Sequence, residues 1–321
     1  MSAQIPRSMK AAAFDQFGGP DVFQLKELPV PTPGPKEVLI QLESAGIGAW
    51  DPDARAGELE LGGERGFPRI IGNDGAGLVV AVGKRVRRFE VGDRVYAYDF
   101  EGGFYAEYVA APEDDVALVP PGVSLREAGA LGADGITALR GLTDHLAIRA
   151  GEKLMIFGAS GGIGHLAVQL AKRLGATVFA IASGTDGVEL VRRLGADEAV
   201  DGRSEDVGQA ARAYAPQGLD AALVLVGGGG VDDALGSVKP GGRVAFPNGV
   251  EPEPAAPAGV RVLAYDGTPD RDAFERLNRL IGNEPFHVEL GRMFPLSEAA
   301  TAHRQVGQHH LGKLAFQIRS H

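Results

Sequence analysis

The residues most able to do chemistry lie between Lys153 and Lys172. Leu154, Met155, Ile156 and Phe157 read as a short buried strand. The chain then runs Gly158-Ala159-Ser160-Gly161-Gly162-Ile163-Gly164 before an amphipathic helical pattern. The spacing Ala159-x-Gly161-x-x-Gly164 is a variant of Gly-x-Gly-x-x-Gly with Ala in the first place. Absent Cβ atoms let an anion approach the backbone, and the first N–H groups of the helix then hold it. Ala159, Ser160, Gly161, Gly162, Ile163 and Gly164 are thus expected to cradle a dinucleotide pyrophosphate. An ordinary strand-to-helix turn uses similar glycines. The strand before, the helix after and a second strand-like run at 177–182 favour the cradle.

That second run decides the form of the dinucleotide. NAD-binding sites place an acid at its end, about 20 residues after the glycine turn, to hold the ribose 2′-hydroxyl. Here the run ends in Ala182, Ser183, Gly184 and Thr185, and Asp186 comes later. Ser183, Gly184 and Thr185 can instead hydrogen-bond a 2′-phosphate, which favours NADP(H). No Lys or Arg follows Ser183 directly, and Arg192 and Arg193 read as solvated helix charges. Val226, Gly227 and Gly228 follow another apolar run at its C-terminal end, where ligands bind in open α/β sheets. They are expected over the nicotinamide and its ribose. Phe246, Pro247 and Asn248 end the next run and are expected to face the carboxamide. Lys313 reads either as a cofactor contact or as a solvated lysine.

The elements that must position these groups follow two textures. Before residue 124, short apolar runs at 9–15, 37–43, 77–83, 93–98 and 104–109 are punctuated by Gly and Pro, which reads as a β domain. Ser124-x-x-Glu127 is a capping-box start for a helix. Beyond it, strand and helix patterns alternate: strands at 153–157, 177–182, 221–226 and 242–246, and helices at 166–174 and 188–194. This predicts a parallel sheet covered by helices. A further helix is expected at 272–281 and a closing strand at 312–318.

Composition bounds the reading. The chain has 321 residues, 44% hydrophobic and 23% charged, as in a globular protein of about two domains. It has no cysteine, which excludes disulfides and thiolate zinc sites. A net charge of −10 argues against nucleic-acid binding. No run of ~18 apolar residues suggests a membrane span. Residues 1–10 show no apolar signal region, so cytoplasmic residence is the expectation.

Several landmarks in order resemble the medium-chain dehydrogenase/reductase superfamily, most closely its zinc-free quinone oxidoreductase (zeta-crystallin-like) branch. They are Met9-Lys10-Ala11, Gly72-Asn73-Asp74-Gly75-Ala76-Gly77, Val91-Gly92-Asp93-Arg94-Val95, Gly102-Gly103-Phe104-Tyr105-Ala106-Glu107-Tyr108-Val109, the turn at 158–164 and Gly312-Lys313. The resemblance implies an α/β protein. A GroES-like β domain would come from residues 1–124 and 285–321, and an inserted Rossmann doubly wound parallel-sheet domain from 125–284. It implies hydride transfer from NADPH to quinones or α,β-unsaturated carbonyls, and a homodimer, with residues 260–263 as the candidate sheet edge. The alternative is a non-catalytic NADPH-binding protein of the zeta-crystallin type.

The resemblance also points to site residues. Zinc-dependent relatives carry a Cys and a His where this chain has Gly48 and Asn73, so no metal is expected. Zinc-free relatives carry an Asn-x-x-Asp-x-Tyr-like run; here Asp51 is kept, while Gly48 and Asp53 replace the Asn and Tyr. Trp50, the only tryptophan, reads as a stacking wall for a planar substrate or as a core aromatic. Asp51 reads as a site residue or as a cap. Asn73 reads as a donor to a substrate oxygen or as a turn residue satisfying its own backbone. Thr137 lies where relatives approach the nicotinamide, although a helical Thr also bonds its own backbone. Tyr96, Tyr98 and Tyr105 are further candidates; the first two share a strand face and fit a core role. Residues 55–69 are expected to border the substrate pocket.

Overall fold

The computed structural model describes residues 5–59 and 66–319. Two compact units result: Asp134–Thr268, and Met1–Ala133 together with Pro269–His321.

In Asp134–Thr268 the apolar runs form one six-stranded parallel sheet. Lys153–Phe157 lies between Thr177–Ala182 and Leu219–Val224. Glu198–Asp201 flanks the second strand, and Val238–Pro247 then Arg261–Tyr265 continue beyond the third. Counted in chain order within the sheet, the strands lie 3-2-1-4-5-6, the doubly wound order. Parallel strands are covered on both faces, so they read as unbroken apolar runs. Leu154, Met155 and Ile156 are accordingly all buried. Covering helices show the matching stripe: Val188, Leu190 and Val191 of Gly184–Arg193 are buried, while Arg192 and Arg193 are exposed. Gly175, in the left-handed region at φ 81°, stops the Gly162–Arg173 helix where the pattern predicts. The 221–226 run ends as a strand at Val224 instead of Val226. Leu225 N–H still bonds Phe157 O at 3.0 Å, but Val226 turns outward at 49% exposure.

The other unit is built mainly on antiparallel pairing, with Leu290–Pro295 parallel to Lys313–Gln317. Its sheet orders Leu290–Pro295, Lys313–Gln317, Glu37–Ile47, Asp74–Val82, Arg94–Tyr98 and Val116–Leu118, with Tyr108–Pro112 also paired to Glu37–Ile47. Ser8–Ala13 pairs with Gln24–Pro29 as a separate ribbon. The capping box at Ser124 forms, with Glu127 N–H on Ser124 Oγ and Ser124 N–H on the Glu127 carboxylate.

Two expectations shift here. The 104–109 run becomes a strand only from Tyr108, because Phe104 and Tyr105 donate their N–H groups to Gly72 O and Ile71 O at 3.2 and 3.0 Å. The inserted unit spans Asp134–Thr268 rather than 125–284, and the chain returns to the antiparallel unit at Pro269. Its helix, Arg271–Ile281, packs Phe274 edge-on to Tyr96 at 5.3 Å, and Asn278 Oδ1 accepts from Tyr96 Oη at 2.8 Å. Tyr96 therefore has the core role.

His303, on the Ala299–Gln305 helix, lies against Phe23 with centroids 4.6 Å apart. Arg55 Nη1 sits 2.9 Å from its Nδ1, and Nε2 is buried with no partner among the described residues. Burial, then the Arg55 charge, hold the imidazole down to about 3 from its usual 6.5. The unfolded chain therefore takes up this proton first as pH falls. Its contribution to stability is complete above about 6.5 and is lost as pH drops toward 3. We predict that His303→Gln flattens the dependence of unfolding free energy on pH between 6.5 and 4.5, measured by urea titration. Parallel curves for the two proteins would contradict this.

Candidate functional site

The glycine turn is shaped by two close approaches of different kinds. A Cβ on Gly164 would overlap the Gly158 carbonyl oxygen and come within 2.7 Å of the Ala159 main chain. Glycine there lets the helix start directly on the strand end. A Cβ on Gly161 would meet only Gly158 O, at 3.6 Å, so open space lies in front of it. Gly161 is the N-cap of Gly162–Arg173, and its side gives no cap bond to the helix. The N–H groups of that first turn have no acceptor within the helix. Gly158 and Ala159 both donate to Ile181 O, at 3.0 and 2.9 Å, which ties the turn to the second strand. The result is a positive helix end behind an empty space, suited to a phosphate.

The neighbouring strand ends supply the rest. Ser160 is buried, and its Oγ accepts from Ser183 N–H at 3.3 Å, so its hydroxyl joins the first turn to the second. Gly184 N–H donates to Asp201 Oδ1 at 2.8 Å, and Thr185 is exposed. Gly227 packs so closely on Glu251 and Pro252 that a Cβ would overlap their main chain, whereas Gly228 faces open space. Phe246 corrects an expectation: its side chain is buried in the core with Met155, Phe157 and Val224, so only its main chain can face a ligand. Asn248 is exposed, with Nδ2 on Asp266 Oδ1 at 2.8 Å. Thr137 is buried on the Gly132–Arg140 helix; its carbonyl accepts from Tyr265 Oη at 3.0 Å, and its side chain lies against Gly267.

In the other unit, Trp50, Asp51 and Asn73 are brought together. Asp51 opens the Asp51–Ala56 helix and is buried. Its Oδ2 accepts from Gly48 N–H at 2.7 Å and from Tyr105 Oη at 2.5 Å, while Oδ1 is buried with no partner among the described residues. Burial pushes this carboxyl up to about 6, against the lowering bonds from Tyr105 and Gly48. The turn that Asp51 closes carries half-buried Trp50, whose Nε1 lies 3.4 Å from Asn73 Oδ1. Asn73 Nδ2 donates to Asp99 O at 2.9 Å. So Asp51 closes a turn, and Asn73 bonds the Asp99 main chain rather than its own turn, with one of its two amide N–H groups meeting no acceptor among the described residues. Asn73 and Gly72 border a cavity of about 580 Å³ with Arg69, Glu101, Tyr108 and Leu28. Of the expected pocket border at 55–69, residues 60–65 lie outside the described residues.

Lys313 is not solvated. It is 3% exposed, with Nζ on Asp74 Oδ2 at 3.1 Å. Gly46 makes room for this pair, since a Cβ there would meet Lys313 Cε at 2.7 Å. Sequence reasoning missed that pairing, the role of Tyr105 on Asp51, and the Arg55–His303 contact. Each joins residues far apart in the chain, and no local spacing signals them.

Comparison with known proteins settles the family. Residues 162–273 match the zinc-binding dehydrogenase family, and residues 34–121 the alcohol dehydrogenase GroES-like domain. A quinone oxidoreductase of Sus scrofa is 30% identical over 312 residues, covering 93% of this chain and 94% of its own. The chain belongs to the quinone oxidoreductase branch of the medium-chain dehydrogenase/reductase superfamily. An NADPH-dependent alkenal/one oxidoreductase of Arabidopsis thaliana chloroplasts is 32% identical over 320 residues, 96% of this chain and 79% of its own. A mycobacterial structure complexed with NADPH has a TM-score of 0.83 at 27% identity, covering 97% of this chain and all of that one. Within this superfamily the antiparallel unit is the GroES-like domain and the parallel sheet is the Rossmann domain. Among the described residues, no group of three or more His, Asp or Glu is placed to hold a metal ion.

The two glycines give separable effects. Gly164→Ala is expected to destabilise the fold by about 1–3 kcal/mol through overpacking. Gly161→Val should leave the thermal midpoint nearly unchanged while weakening nicotinamide dinucleotide binding at least ten-fold. Equal losses of stability from both variants, or intact binding in Gly161→Val, would contradict the assignment of the open space.

Proposed function

We propose that this chain is an NADPH-dependent, zinc-independent oxidoreductase acting on quinones or α,β-unsaturated carbonyls. The observation that carries the reading is the open space at Gly161, in front of a helix N-terminus and beside the switch point of a 3-2-1-4-5-6 sheet. The names of two relatives support it, one called a quinone oxidoreductase and one an NADPH-dependent alkenal/one oxidoreductase.

In this reading Ala159, Ser160, Gly161, Gly162, Ile163 and Gly164 hold the pyrophosphate. Ser183, Gly184 and Thr185 take the ribose 2′-phosphate, since no acid ends the Thr177–Ala182 strand. Val226, Gly227 and Gly228, with Pro247, Asn248 and the Phe246 main chain, bound the nicotinamide, and Thr137 faces its ring. When bound, NADPH supplies the hydride. The acceptor oxygen gains negative charge as reduction proceeds and needs a donor. The second N–H of Asn73 is that donor. Trp50 holds the Asn73 amide in one orientation and gives a planar acceptor a face to stack on. Asp51 is a positioning residue that locks the Gly48–Trp50 turn.

Zinc has no place in this scheme. A catalytic zinc needs about three protein ligands. Gly48 supplies no side chain, the Asn73 amide oxygen faces the Trp50 Nε1–H, and the chain has no cysteine. The exposed Arg261–Tyr265 edge, where Val262 is 40% exposed, is where a second copy would extend the sheet into a homodimer. No described helix is long and apolar enough to cross a membrane, and cytoplasmic residence is part of the same reading.

The test is oxidation of NADPH, and separately NADH, against ortho- and para-quinones and enones, before and after dialysis against a chelator. We expect turnover that favours NADPH and survives chelation. Tight NADPH binding without turnover on any acceptor would replace the reductase by a binding protein. Loss of turnover on chelation, restored by zinc, would overturn zinc independence.

A further inference from the structure

Asp201 ends the Glu198–Asp201 strand, in parallel register beside Ala182, the last residue of the neighbouring strand. The 183–185 turn starts at the next residue. Asp201 Oδ1 accepts from Gly184 N–H at 2.8 Å and from Arg203 N–H at 3.0 Å, and Oδ2 accepts from Ser204 Oγ at 2.9 Å. The Arg203 and Gly184 N–H groups hold this carboxyl below its ordinary range, so it is anionic at neutral pH. A second carboxylate adjoins it, because Glu205 Oε1 accepts from Asp201 N–H at 2.8 Å.

An acid is therefore missing from the tip of the Thr177–Ala182 strand but present one strand over. It already occupies the Gly184 N–H, one of the donors on which an anion at that tip would rest. We infer that Asp201 limits the preference for NADPH over NADH. Its charge opposes a 2′-phosphate at the 183–185 turn and leaves the uncharged 2′-hydroxyl of NADH unpenalised. Asp201 is thus a specificity-determining residue, and the chain uses NADH appreciably alongside NADPH. The inference rests on the reading of Ser183, Gly184 and Thr185 as the ribose 2′ contact.

Asp201→Asn keeps an oxygen for the Gly184 N–H and removes the charge; Asp201→Ser does the same where Asn weakens the turn. The measurements are the dissociation constants of NADPH and NADH, by fluorescence titration of the protein without acceptor, and kcat/KM for each with one quinone, at low and at physiological ionic strength. We expect the NADPH-to-NADH ratio to rise about ten-fold, through KM for NADPH, with a smaller rise at the higher salt. A purely structural role would lower both cofactors together and leave the ratio in place. That result, or an unchanged ratio in folded protein, overturns the inference. Ser183→Asp separates the two levels. If it lowers the ratio while Asp201→Asn is silent, only the Asp201 inference fails. If Ser183→Asp is also silent, the 2′ contact lies elsewhere and both fall.

Discussion

The approach of the Gly164 backbone to the Gly158 carbonyl is the contact on which the nucleotide side depends. With no Cβ in the way, the Gly162–Arg173 helix begins directly on the end of Lys153–Phe157. Its first-turn N–H groups and dipole then point to the C-terminal edge of the sheet. The switch in strand order falls at that strand, so the next one, Leu219–Val224, ends beside it and delivers Gly227 and Gly228 to the same edge. Gly227 repeats the device by packing against Glu251 and Pro252. Small residues here fix where backbone lies, and backbone in turn leaves space at Gly161.

The GroES-like unit relies on buried polar groups that hold one another. Asp51 is held by an amide and a phenol rather than by a cation. Arg55 gives Nε–H to Gly18 O at 2.9 Å and faces a neutral imidazole. Lys313 and Asp74 are a true buried pair. Removing one member of such a set strands the other in a low-dielectric interior, which costs more than the pair contributes. Asp51 closes the turn that carries Trp50, and Trp50 in turn faces the Asn73 amide at the cavity edge.

The glycine turn was legible because its constraints are local: strand, turn and helix follow within about twenty residues. The capping box at Ser124 and the helix stop at Gly175 were legible for the same reason. Lys313 was not, since its partner Asp74 is 239 residues away. Tyr105 on Asp51 and Arg55 on His303 also join residues far apart, 54 and 248 along the chain. Phe246 was misplaced because a strand covered on both faces is apolar throughout, and its pattern does not tell which side chain meets a ligand. The amphipathic pattern of Arg271–Ile281 showed a helix but not which sheet it covers. Asp201 gives no local signal, because parallel pairing sets it beside the tip of a strand to which it does not belong.

The central claim is direct hydride transfer from a dinucleotide held at the Gly161 turn. It is tested most directly with NADPH deuterated at nicotinamide C4, on each face in turn, and a simple enone in ordinary water. The account predicts deuterium on the β-carbon of the saturated ketone from one face only, with one NADPH consumed per product. Product lacking the label with both deuterated forms would contradict it.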